Sequence, residues 1–97
     1  MNISENLVLQ DNAPVALQIK NSLKQQVTAI GLKQGQVLKK HITTTPALLI
    51  LLKGRIAFHM NDHVTELQEM DTFDIPAEVP HELKGIDESI FLLIKEK

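Results

Sequence analysis

Turn-forming residues recur along this chain about every 8–12 positions, and this spacing limits the available folds more than any other feature. Short apolar runs lie between the turns, which is the pattern of an all-β sandwich or barrel. We find no internal repeat and no low-complexity tract. The turn signals are Asn12–Pro14, Asn21–Ser22, Gly31, Gly35, Pro46, Gly54, Asn61–Asp62, Pro76–Pro80 and Gly85.

Two segments alternate apolar and polar residues with the period of a strand. They cover residues 15–20 and 55–60, and Asn61–Asp62 then supplies a hairpin turn because both residue types tolerate left-handed backbone. Residues 23–30 are ambiguous, since Leu23, Val27 and Ile30 have the spacing of a helix face. The β-branched residues in this segment and the glycine that follows it favour a strand, which we predict here.

Two further runs, Ala47–Leu52 and Ile90–Ile94, are apolar on both faces. A strand of this kind must be covered on both sides, because leaving one face in water forgoes about 1.5–3 kcal/mol per large side chain. The core covers one face. The other requires the N-terminal strands or a second copy of the chain, so we predict a homodimer.

The composition excludes several classes of protein. The 97 residues make one domain, and the lack of cysteine excludes disulfides, thiolate nucleophiles and iron–sulfur clusters. A net charge of −2, with no Trp or Tyr, argues against a nucleic-acid partner. The longest uncharged apolar run is too short to span a membrane, and residues 1–10 do not resemble a signal peptide. We therefore expect no membrane partner and a cytoplasmic location.

From Gly35 onward the chain resembles the cupin superfamily, in particular small cupins of the conserved-barrel type. The positions of the first cupin motif correspond to Gly35, His41, Thr43, Ala47 and Gly54. The second motif corresponds to the stretch Met70 to Gly85, and the resemblance is most specific from Asp71 to His81. The resemblance implies a double-stranded β-helix, or jelly-roll, barrel. It implies one cupin domain over residues 1–97, with N-terminal strands in 1–34 and the motif-bearing barrel in 35–97.

The resemblance also defines where this chain departs from the family. Metal-binding cupins hold their ion with three His and one Glu. This chain keeps His41 and His81, but Thr43 replaces the second His and Ala47 replaces the Glu. Because transition-metal sites need three or four protein ligands, we expect no metal or other cofactor. A divalent metal, if present, would use His41 and His81 with His59 as a third ligand.

Some of the remaining polar residues have simpler interpretations. His59 is expected on the strand face opposite Ile56 and Phe58, and His63 on the surface beside the hairpin turn. Asp71 is expected to bond backbone amides in a tight turn. Met70 and Glu78 replace two family glycines, which would cost on the order of 1 kcal/mol each if the backbone there is left-handed.

Three functions remain open. The leading hypothesis is a non-catalytic cupin whose cavity binds a small, largely apolar organic ligand, with a sensor role conceivable only through a separate output protein. Its predicted cavity residues are His41, Thr43, Ala47, Leu49 and His81. The second is a metal-dependent enzyme of the dioxygenase or isomerase type, using His41 and His81. The third is a structural β-barrel dimer without ligand.

Overall fold

Nine β-strands and one short helix account for the regular structure in the computed structural model, which describes residues 1–97. The helix, α1, is Ile3–Asn6. The strands are β1 (Val15–Asn21), β2 (Gln25–Leu32), β3 (Val37–His41), β4 (Ala47–Lys53), β5 (Arg55–Met60), β6 (His63–Gln68), β7 (Thr72–Ile75), β8 (His81–Gly85) and β9 (Ser89–Glu96). No helix is long and apolar enough to cross a membrane.

The strands form two antiparallel sheets. The larger sheet has the order β1-β2-β9-β4-β7, and the smaller sheet has the order β3-β8-β5-β6. Strands that neighbour each other in space are mostly distant in sequence, as in β4 beside β9. The predicted all-β class is confirmed. Residues 25–32 form a strand, also as predicted, while Leu23 lies in the preceding turn, 96% exposed.

The core fills the space between the two sheets. Its residues alternate along each strand, as the pleat requires. In the larger sheet β4 contributes Leu49 and Leu51 and β9 contributes Phe91 and Leu93. The other members of the cluster are Ile30, Leu32, Ala47, Ile56, Phe58, Leu67, Ile75 and Leu83.

A second, smaller apolar cluster lies on the outer face of the larger sheet. The N-terminal segment crosses this face, where Leu7 packs with Ala29 and Ile90. The crossing is close, since a Cβ on Gly31 would lie 2.3 Å from Leu9 Cδ2. We expected the N-terminal strands or a second copy of the chain to cover the second face. β1 and β2 do not lie over it but extend the sheet edge to edge, and the segment before them covers part of it.

Four residues other than glycine, in three turns, have left-handed backbone. Asn61 and Asp62, with φ of 52° and 61°, form the predicted two-residue hairpin between β5 and β6. Met70 and Glu78 have φ of 73° and 66°, so both substituted family glycines do stand at left-handed positions. The Asp71 carboxylate accepts a hydrogen bond from the Gln68 N–H at 2.8 Å, which is the structural role predicted for it.

Candidate functional site

His41 and His81 meet at one end of the smaller sheet. His41 ends β3, His81 begins β8, and the two residues are paired across the strands. Their Nε2 atoms lie 3.1 Å apart, with ring centroids 4.3 Å apart and planes inclined at 62°. His81 is only 2% exposed, whereas His41 is half-buried. We refer to these two residues as the histidine pair.

Backbone carbonyls fix the protonation pattern of the histidine pair. His41 Nδ1 lies 2.9 Å from the Lys39 carbonyl, and His81 Nδ1 lies 3.0 Å from the Val79 carbonyl. A carbonyl oxygen can only accept, so each Nδ1 carries the proton and donates. Each Nε2 then faces the other at 3.1 Å, and a hydrogen bond between them forms only when one of the two rings also carries a proton on Nε2.

The surroundings of His81 favour its neutral form. Burial lowers the pKa of His81 below 6.5. The hydrogen bond to the Val79 carbonyl opposes this, and electrostatic interactions with His41 and Lys95 lower the pKa further. The Phe58 ring lies nearly parallel to His81, with centroids 5.5 Å apart and planes 13° apart. Phe73 packs in turn against Phe58 at 4.5 Å. The buried His81 ring is thus stacked on the Phe58 ring.

Thr43 lies two residues beyond His41 and is only 6% exposed. Its backbone carbonyl accepts a hydrogen bond from the Glu78 N–H at 2.8 Å, which ties it to the loop that leads into His81. Its hydroxyl, however, is buried and has no hydrogen-bond partner in the protein. An unpartnered buried hydroxyl costs about 1–3 kcal/mol, so this atom is out of keeping with a purely structural role.

The other predicted cavity residues, Ala47 and Leu49, lie in the core on the inner face of β4. Ala47 is opposite Lys95 of β9 and Ile75 of β7, and Leu49 is opposite Leu93 and Phe73. The three main surface pockets, of about 350, 280 and 430 Å³, are lined by none of the five predicted cavity residues. Ala47 and Leu49 are therefore core residues, 5% and 0% exposed.

The donor set does not fit the metal site that the resemblance implies. The histidine pair brings two nitrogens together, but His59 is exposed and lies beside Glu82 and Val64, on the strand face opposite Phe58. No group of three or more His, Cys, Asp or Glu side chains is placed to hold an ion. His59 and His63 instead line a pocket of about 350 Å³ beside the β5–β6 hairpin.

Sequence reasoning missed two contributors to the site, Phe58 and Lys95. Both follow from strand parity. Phe58 shares the inner face of β5 with Ile56, and Lys95 continues the inner series Phe91 and Leu93 on β9. Extending each alternation by two residues would have placed them at this end of the interior.

Several solved structures similar to this chain are named as cupins. A cupin superfamily protein from Desulfitobacterium hafniense has a TM-score of 0.90 at 17% identity, over 99% of this chain and 88% of its own. A cupin 2 conserved barrel domain protein from Leptotrichia buccalis has a TM-score of 0.90 at 20% identity, and the match covers 100% of this chain and 47% of the Leptotrichia chain. An RmlC-like cupin family protein from Methanocaldococcus jannaschii gives 0.78 at 22% identity, over 92% and 86%.

These comparisons establish the fold. The chain has the double-stranded β-helix fold of these structures, as the resemblance to cupins predicted. No protein-family sequence model matches the chain, and no curated protein sequence matches it significantly.

Proposed function

We propose that this small cupin barrel binds a small organic molecule at the histidine end of its interior, without a resident metal and without catalysis. The observation that carries the proposal is the Thr43 hydroxyl, which is buried with no partner in the protein. A ligand that donates to or accepts from this hydroxyl would remove the cost of burying it.

The surroundings of Thr43 support a ligand with an apolar body. Ala47, Leu49 and Phe58 provide buried apolar surface, while the polar groups are few and lie at one end. Small-molecule sites typically combine such an apolar lining with a small number of placed polar groups. The ligand would enter past His41, the half-buried member of the histidine pair, and would take over the hydrogen bond that the two rings make with each other.

We further propose that the chain forms a homodimer through the outer face of the larger sheet. The N-terminal segment packs on this face against Ala29, Ile90 and the partly buried Leu92. Leu48, Ile50 and Ile94 are half-buried on the same face, and Leu52, 37% exposed, lines a pocket with the N-terminal residues. A second copy would remove this contiguous apolar surface from water.

Two other functions make different predictions. A structural barrel without ligand is favoured by the packed interior and by the hydrogen bond that closes the histidine pair on itself. A metal-dependent enzyme is favoured only by the convergence of two Nε2 atoms, because the chain brings no third protein ligand to them.

Native mass spectrometry of protein purified without denaturation separates the three. We expect a dimer carrying an organic adduct of up to one molecule per chain, lost in His81→Phe and kept in the matched control His63→Ala, whose histidine is exposed. A mass increment equal to iron, manganese, nickel or zinc, lost in His41→Ala, would support the metal-dependent enzyme instead. Unliganded chains that bind nothing from a cell extract would leave the structural barrel as the function.

A further inference from the structure

Lys95 brings a positive charge to the inner face of the barrel at the histidine end. On β9 the inner series runs Phe91, Leu93, Lys95, and the first two are core residues, with exposures of 0% and 5%. Lys95 lies in register between Gln26 of β2 and Ala47 of β4. Side chains two residues apart on a strand point to the same face, so the Lys95 side chain continues this inner series near the end of the strand.

No carboxylate neutralises this charge. The ion pairs of the chain join Lys33 to Asp11, Lys53 to Glu88, and Arg55 to both Glu66 and Asp87. Lys95 is half-buried and makes neither an ion pair nor a side-chain hydrogen bond. The side chains on β9 and its neighbours that flank it on the inner face, Gln26 and Ala47, carry no charge. This end of the interior is therefore electropositive although the chain has a net charge of −2.

Lys95 lies close enough to the histidine pair for its positive charge to lower the pKa of His81. An uncompensated positive charge in a partly buried site attracts a counter-ion, and low dielectric strengthens that attraction. One lysine and one hydroxyl donor suit a single carboxylate better than a phosphate, which is typically held by arginine forks or several backbone amides.

From this juxtaposition we infer that the ligand of the site is a small organic monocarboxylate, whose carboxylate pairs with Lys95 and accepts from the Thr43 hydroxyl while its apolar body lies against Ala47 and Leu49. This inference rests on the proposed function, since it specifies the chemistry of the same site. The simpler alternative is that the Lys95 stem lies along the apolar edge and its ammonium only reaches for water.

Benzoate and its uncharged counterpart benzamide test whether Lys95 binds a carboxylate or only contacts water, because the two probes share a ring and differ in charge. The readout is the movement of backbone amide signals in two-dimensional NMR spectra of the full chain at fixed ionic strength. We expect both titrations to move signals around Ala47, Leu49 and His81, with benzoate binding about tenfold more tightly, as expected for one added ion pair in a partly buried site.

Lys95→Met keeps the apolar stem and removes the charge, so it should abolish the preference for benzoate. Lys84→Met is the matched control, because Lys84 is exposed on the outer face of β8, and should preserve the preference. Lys95→Gln provides a second neutral variant if the methionine variant does not fold. Equal affinities for the two probes, or a preference that survives both Lys95 variants, would overturn the monocarboxylate while leaving the proposed function in place. Failure of both probes to move these signals would overturn both proposals.

Discussion

Replacing Thr43 by Val exchanges a buried hydroxyl for a methyl group of similar shape. Thr43 is 6% exposed and its buried hydroxyl has no hydrogen-bond partner, so burying the hydroxyl costs about 1–3 kcal/mol. Valine does not incur this cost. Both side chains are β-branched, so the rotamer preference changes little. For the ligand-free protein we therefore expect Thr43→Val to raise the free energy of unfolding by about 1–2 kcal/mol. In a domain of 97 residues this corresponds to a rise in Tm of roughly 4–8 °C for each kcal/mol.

The assay is urea unfolding of protein that has been denatured and refolded to remove any ligand. Thr45→Val is the matched control, because the Thr45 hydroxyl donates to the Glu96 carbonyl and its loss should lower the free energy of unfolding by about 1 kcal/mol. If Thr43→Val is destabilised as much as Thr45→Val, the Thr43 hydroxyl is already bonded within the protein and the reasoning fails. In protein purified with its ligand, the same Thr43→Val variant should bind that ligand more weakly.

Three further perturbations follow from the backbone and from the histidine pair. Met70→Gly should raise the free energy of unfolding, measured in urea, by about 0.5–1 kcal/mol. Left-handed backbone costs Met about 1–2 kcal/mol, and the greater chain entropy of Gly in the unfolded state offsets part of that gain. Because Met70 is 79% exposed, little packing is lost, and a destabilised variant would contradict this reasoning. Gly35 and Gly54 both have positive φ, 84° and 88°, but only at Gly54 would the Cβ of an alanine lie 2.1 Å from a backbone oxygen. We expect Gly35→Ala to lower the free energy of unfolding by about 1 kcal/mol and Gly54→Ala to lower it markedly more, as measured by calorimetry. Equal losses in the two variants would refute the steric reason. Folding lowers the pKa of His81 below 6.5, so the unfolded chain binds a proton at this residue more readily than the folded chain. The free energy of unfolding should therefore fall as the pH decreases below about 6.5, and this pH dependence should be weaker in His81→Gln when unfolding is measured over a pH series. A free energy of unfolding that rises on acidification would contradict the lowered pKa.

The fold could be predicted because its signals are local. Alternation along β5 and the turn at Asn61–Asp62 each determine a strand or hairpin without reference to the rest of the chain. The cover on the larger sheet could not be predicted in the same way. It depends on the contact of Leu9 with Gly31, which only the folded chain brings together. A tail that crosses a sheet has no periodicity of its own.

The candidate site was predictable in its members more than in its shape. Motif spacing brought His41 and His81 to the same place, and the two rings do meet. Ala47, which stands at the position of a family Glu, was predicted to line a ligand cavity, and it is 5% exposed and packed in the core. Whether a smaller side chain leaves space depends on how its neighbours pack, and Ala47 belongs to the same core cluster as Phe58, against which Phe73 packs. Packing of this kind is not encoded in the spacing of one motif.

A high-resolution crystal structure of the natively purified protein tests ligand binding inside the barrel most directly. We predict organic density within hydrogen-bond distance of Thr43 Oγ1, with the direct bond of the histidine pair opened. A single-atom peak at metal–nitrogen distances of about 2.0–2.1 Å from both Nε2 atoms would contradict it in favour of a metal site. Side chains packed without additional density, with the two Nε2 atoms still about 3.1 Å apart, would contradict it in favour of a structural barrel.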